Sequence, residues 1–171
     1  MKQKIYIATL ITLLFTCQLD LFGLDSGKIL KVLVKEMKVS KGDLELQLCQ
    51  LNDQLKDKVN AIYQVRIKGE DKGYLIDANG MGRYDEFRFL VLTDVNKSTE
   101  MVRVIHYISD HGGEITSKKW LSQFDGFKGG DLKYGEDIQA ISGATLSASS
   151  ITNRIQEIIV LLKQAEMQVA L

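Results

Sequence analysis

Residues 137–147 read Asp137-Ile138-Gln139-Ala140-Ile141-Ser142-Gly143-Ala144-Thr145-Leu146-Ser147 and run directly into an apolar-periodic segment. Hydroxyls, almost absent side chains and a helix start therefore coincide in one short stretch. Gly143 and Ala144 let a bulky group approach the backbone, and Thr145 presents a hydroxyl where the helix begins. A helix N-terminus has unpaired amide donors and partial positive charge, which makes it a seat for a phosphate. A phosphate joined to Thr145 would lie there, with Ser142, Ser147, Ser149 and Ser150 offering hydroxyl donors to its free oxygens. The same string also suits a plain helix cap with solvated turn serines, and a tetrapeptide alone does not separate the two.

The elements that must position this stretch can be read along the chain. Ile151, Ile155, Ile158, Ile159 and Leu162 share one face of a helix spanning about residues 146–167, with Asn153, Arg154, Gln156 and Glu157 opposite. Ser26 is placed to cap an earlier helix whose apolar positions are Ile29, Leu30, Leu33 and Met37. Leu44, Leu46 and Leu48 alternate with polar residues as in a strand, and Tyr63, Val65 and Ile67 repeat the pattern. A turn over residues 68–73 leads into Tyr74-Leu75-Ile76, and Asn79-Gly80-Met81-Gly82 is expected to break the chain again. Residues 87–93 and 101–108 suit an antiparallel hairpin, and Trp120, Leu121 and Phe124 a short helix before the glycine-rich loop 126–130. Consecutive strands without intervening helices argue against a doubly wound sheet. The expected class is α+β, a mainly antiparallel sheet with flanking helices and a long C-terminal helix after the Ser-Gly-Ala-Thr turn.

That turn resembles the S-G-A-T motif of the FMN-binding domain family. The family includes the C subunit of the sodium-pumping NADH:quinone oxidoreductase and the G subunit of the Rnf electron-transport complex. The run His111-Gly112-Gly113-Glu114-Ile115, the following Lys119-Trp120-Leu121-Ser122-Gln123-Phe124 and residues 137–147 together look like its small exported branch. The resemblance implies FMN held covalently as a phosphoester on Thr145, installed from FAD by a flavin transferase. It also implies Ser142, Gly143, Ala144, Leu146 and Ser147 as cofactor-binding neighbours, with the loop bearing Gly113 and Glu114 beside the flavin. Gln139 stands where members commonly carry an acidic residue. Read without the family, Gly112-Gly113 suits an ordinary turn and Glu114 a solvated charge. Trp120 is a residue type that can stack on a flavin, but its helical spacing with Phe124 puts the core reading first. Lys128 is a candidate counter-charge to a phosphate or simply a solvated lysine.

The chain has 171 residues, 45% apolar and 26% charged, with 22 acidic and 22 basic residues. Such a balance supplies no field toward nucleic acid. Lys2 and Lys4 precede an apolar run over residues 5–17, and Leu21-Phe22-Gly23 offers a small residue for cleavage. A bilayer span needs about 20 apolar residues, so residues 1–23 are expected to be a signal peptide or signal anchor and 24–171 a single domain. Phe15 and Thr16 are poor residues to precede a lipidated Cys17. With the leader gone, Cys49 is left without a disulfide partner. His106 and His111 lack the spacing of a metal site, so none is expected.

No nicotinamide fingerprint and no nucleophile–base pair is present, so a substrate apparatus is not in view. The expected function is an electron carrier, an electron-transfer module more than a free-standing enzyme. It would relay electrons between a membrane-associated electron-transport partner and an acceptor in the periplasm or at the outer face of the cytoplasmic membrane. A flavin-dependent reductase and a binding module of the same fold without flavin are the alternatives.

Overall fold

The computed structural model describes residues 26–109 and 112–170. The leader expected over residues 1–23 and His111 lie outside these described residues. Two compact units divide at Lys41. In the first, helix α1 (Ser26–Met37) buries Ile29 and Leu33, four residues apart and so on one face. It stops at Lys38, whose φ of 53° is left-handed, and the Val39 amide then donates to the Val34 carbonyl at 3.3 Å. That back-bond is the usual way a helix end satisfies its last carbonyls.

The second unit, Gly42–Leu171, is built on a five-stranded antiparallel meander. Its strands are β1 (Leu44–Leu48), β2 (Ala61–Ile67), β3 (Glu70–Met81), β4 (Glu86–Thr93) and β5 (Thr99–His106), in that spatial order. A short helix α2 (Asp53–Lys56) joins β1 to β2, capped by the Asn52 side chain accepting from the Leu55 amide at 2.9 Å. Lys68 and Gly69 both have positive φ, so β2 and β3 meet through a two-residue turn whose twist matches the strands. Both Leu75 and Ile76 on β3, and both Phe89 and Leu90 on β4, are wholly buried. The inner strands are therefore apolar on two faces, which is why residues 87–93 read as a continuous run and not as an alternation.

After β5 come helix α3 (Lys118–Leu121), a long irregular crossing and helix α4 (Thr145–Gln164). α4 lies against β3, and Ile151, Ile155, Ile158, Ile159 and Leu162 are all wholly buried in one cluster with Ile76, Ala78, Phe87 and Phe89. Each such side chain contributes about 1.5–3 kcal/mol by leaving water, so the helix face holds α4 in place far more firmly than its propensity would. The class is α+β as expected.

Several features differ from the sequence reading: the strand expected over 101–108 ends at His106, and the helix expected over about 146–167 ends at Gln164. Asn79, Gly80 and Met81 remain in β3, and the break comes only at Gly82, whose amide donates to the Asp85 carbonyl at 2.9 Å. Gly80 is needed there because the Phe87 ring lies across it, 2.3 Å from where a Cβ would stand. Beyond α4 the tail returns to the sheet: Cys49 bridges Val169, and the Ala170 amide donates to the Leu48 carbonyl at 2.8 Å. Among the described residues no helix is long and apolar enough to cross a membrane.

Candidate functional site

Thr145 is the first residue of α4 and is exposed. The N-cap position belongs to Ala144, buried, with no side-chain cap bond, so the Thr145 hydroxyl has no capping duty. The first helical bond runs from the Ala148 amide to the Ala144 carbonyl at 2.8 Å. The amides of Thr145, Leu146 and Ser147 therefore precede it and lack helical acceptors. Gly143 adopts φ 80° with open space where a Cβ would stand, and Ser142 is exposed beside it. Positive φ is where glycine alone is at ease, and it turns the chain sharply into the helix.

The serines behind the turn are spoken for. Ser147 is buried with its hydroxyl 3.4 Å from that of Tyr107. Ser150 Oγ accepts from the Met81 amide at 2.7 Å, and Ser149 Oγ donates to the Leu146 carbonyl at 3.2 Å. Of the four, Ser142 keeps its hydroxyl exposed without a partner among the described residues.

Three separate segments meet at this helix start. The Ser150–Met81 bond ties the end of β3 to the first turns of α4, and Gly82 packs beside Ser147. The hairpin tip that follows carries Arg83 stacked on the ring of Tyr84, its guanidinium carbon 5.5 Å from the ring centroid. Gly112, with φ 76°, leads into a 3-10 turn at Gly113–Thr116 and packs against Ala144 and the Tyr107 hydroxyl. Gly113 and Glu114 follow, both exposed. Met81, Tyr84, Ile108 and Leu146, four of the large apolar side chains left exposed, belong to these converging segments. No local pattern announces that residues 81–84 and Tyr107 come here, because only the fold connects them to α4.

The loop ahead of the turn is held by side chains. Trp120 is buried edge-on to Phe124, with ring centroids 5.5 Å apart, and its Nε1 donates to the Gln139 carbonyl at 2.8 Å. The Gln139 amide donates to Gln123 Oε1 at 2.8 Å, while the Gln139 residue itself is exposed. The Tyr134 hydroxyl accepts from the Ile141 amide at 2.8 Å. Asp137 turns back to accept from the Lys133 amide at 2.8 Å, so its carboxylate shapes the loop. Lys128 sits apart: the adjacent Gly129 packs on Ile159, Val160 and Lys163. At 1.5 Å per residue those positions are about 21–27 Å along α4 from Thr145.

On the sheet face turned away from α4, the Arg88 guanidinium grips the buried Asp77 carboxylate, which also accepts from Asn60 Nδ2 at 3.2 Å. Burial pushes the Asp77 carboxyl up to about 6 even so. His106 is exposed at the end of β5. Among the described residues no cluster of His, Cys, Asp or Glu could hold a metal ion. A surface cavity of about 170 Å³, lined by Gln50, Leu51, Leu55, Ala165 and Met167, lies by the other end of α4.

No family model and no curated protein sequence matches the chain. Solved structures do. NqrC from Shewanella oneidensis superposes with a TM-score of 0.53 at 14% identity, over 77% of this chain and 90% of that one. The NqrC-type component of the Na(+)-translocating NADH-quinone reductase from Parabacteroides distasonis gives 0.53 at 17% identity, over 76% and 81%. At such identities the likeness is one of fold, and the chain has an NqrC-like fold.

Proposed function

We propose that this chain carries FMN as a phosphoester on Thr145 and relays electrons between a membrane-associated donor and an acceptor outside the cytoplasm. The observation that carries the reading is the exposed Thr145, its hydroxyl free of capping duty, beside three amides that have no helical acceptor. The S-G-A-T resemblance and the NqrC-like fold support it independently. One neighbour is by name a subunit of an NADH-quinone reductase, which favours a membrane electron-transport partner here too. The leader pattern over residues 1–23 favours export.

The residues at the site fit this group. Thr145 anchors it, and the amides of Thr145, Leu146 and Ser147 face the single negative charge of a phosphodiester at the positive end of α4. Gly143 leaves the approach open. Arg83 supplies a cation on the hairpin tip whose neighbouring Gly82 packs beside Ser147, and the exposed Met81, Tyr84 and Leu146 offer apolar surface to an aromatic ring system. Bound FMN accepts one electron or two, so it links two-electron donors to one-electron acceptors. Retention by a covalent bond suits a compartment where a lost flavin is not replaced.

The test is the intact mass of the full chain made with a flavin transferase, beside Thr145→Ala. A gain matching covalent FMN in the parent alone is expected. No gain in either would remove the carrier reading and leave a binding module of the same fold.

A further inference from the structure

Both backbone polar groups of Gln139 and both of Ile141, just ahead of Ser142, are taken by side chains from elsewhere in the chain. Gln123 Oε1 accepts from the Gln139 amide and Trp120 Nε1 donates to its carbonyl, each at 2.8 Å. The Tyr134 hydroxyl accepts from the Ile141 amide at 2.8 Å and donates to its carbonyl at 3.4 Å. Gln123 is itself oriented, since its Nε2 donates to the Trp120 carbonyl at 2.9 Å. The Ala144 amide then closes back on Ile141 at 3.3 Å.

Gln139 and Ala140 are exposed, so water would satisfy much of this backbone without help. What the side chains add is a single conformation. Hydrogen bonds to flexible loops contribute little net energy, yet they remove the freedom that docking would otherwise have to remove. The exposed Gln139 side chain takes no part, so the loop's shape does not depend on an acidic residue at that position.

We infer that Gln123, Trp120 and Tyr134 are positioning residues for attachment of FMN to Thr145: they hold residues 139–141 so that the hydroxyl-bearing turn is presented in one shape to the transferase. The inference rests on the attachment reading above. In that transfer the Thr145 oxygen bonds to the phosphorus of the FMN half of FAD. The bond from that phosphorus to the bridging oxygen breaks, AMP leaves with that oxygen, and the hydroxyl proton passes to a base of the transferase. A pre-shaped acceptor lowers the KM of this reaction and leaves its kcat nearly unchanged.

Trp120 belongs to the core, so the test uses Gln123→Leu and Tyr134→Phe in the full chain, with Gln123→Glu as the conservative variant that keeps an acceptor for the Gln139 amide. FMN incorporation is followed by intact mass against acceptor concentration, using FAD and a transferase. Amide exchange at Gln139 and Ile141 is followed in the flavin-free protein. The expected result is an acceptor KM about tenfold higher for Gln123→Leu and Tyr134→Phe, the size of one lost neutral hydrogen bond. Faster exchange at the freed amide should accompany it, with Gln123→Glu, which keeps the acceptor but loses the Nε2 bond to the Trp120 carbonyl, lying between Gln123→Leu and the parent. Unchanged KM with freed amides overturns the inference while attachment stands. Parent amides that already exchange at the rate of free loop overturn it as well. A parent that takes up no FMN overturns both readings together.

Discussion

Gly112 packs against Ala144 so closely that a Cβ built on Gly112 would stand 2.6 Å from the Ala144 Cβ. Ala144 is the N-cap of α4, so this contact sets the loop of residues 112–116 against the start of the helix. Gly112→Ala meets both the clash and a φ of 76°. Left-handed backbone costs about 1 kcal/mol for a side-chain-bearing residue, and overpacking about 1–3 kcal/mol more. Urea unfolding should show a loss of about 2–4 kcal/mol. Gly143→Ala, at a similar φ but in open space, should lose only about 1 kcal/mol. Equal losses at the two positions would show that the Gly112–Ala144 contact is not tight.

Thr145→Ala separates attachment from capping. Because Ala144 holds the N-cap and Thr145 is exposed, stability should change by less than about 0.5 kcal/mol. A helix that leaned on the Thr145 hydroxyl as its cap would lose about 1 kcal/mol instead. Thermal unfolding of the flavin-free parent and variant decides this, and Thr145→Ser should retain the capacity to take up FMN.

Much of this fold is legible in the sequence because burial imposes a period. The stripe from Ile151 to Leu162 and the apolar run of β4 map onto buried faces almost residue for residue, whereas the run expected as a strand over 101–108 ends at His106 and leaves Ile108 exposed. Gly80 reads as a break because nothing local announces that Phe87, seven residues on, needs its space. The converging parts of the site are less visible for the same reason. Met81 and Ser150 are bonded across 69 positions, and Trp120 and Gln139 across 19. No local pattern encodes such pairs, whereas the hydroxyl, the glycine and the helix start around Thr145 are contiguous and can be read directly.

Burial of Asp77 gives the protein a pH dependence whose sign follows from the raised carboxyl. Its carboxyl is pushed up to about 6 by burial, against about 3.9 in an unfolded chain. The folded state therefore binds the proton more tightly, so this group's contribution is most favourable below pH 4 and is lost as pH rises through about 6. Between about pH 5 and pH 7 the loss amounts to about 1 kcal/mol. Asp77→Asn should flatten that part of the stability profile, whatever it does to the absolute value. A profile of unchanged slope in the variant would mean that the Arg88 guanidinium holds the carboxylate ionised throughout this range.

The bond from the Met81 amide to Ser150 Oγ, at 2.7 Å, fastens the exposed hairpin tip to α4 together with the packing of Gly82 beside Ser147. Met81 and Tyr84 are both largely exposed, so little apolar packing holds the tip if this bond is lost. Ser150→Ala removes the acceptor and leaves an amide that water can reach, which limits the cost to about 1 kcal/mol. The local effect should exceed the global one. Amide exchange at Met81 is expected to speed up at least about tenfold, while Val91 and Ile155, deep in the core, change only in step with overall stability. If Met81 slowed or stayed protected in the variant, the tip would have to be held by contacts other than the one to Ser150.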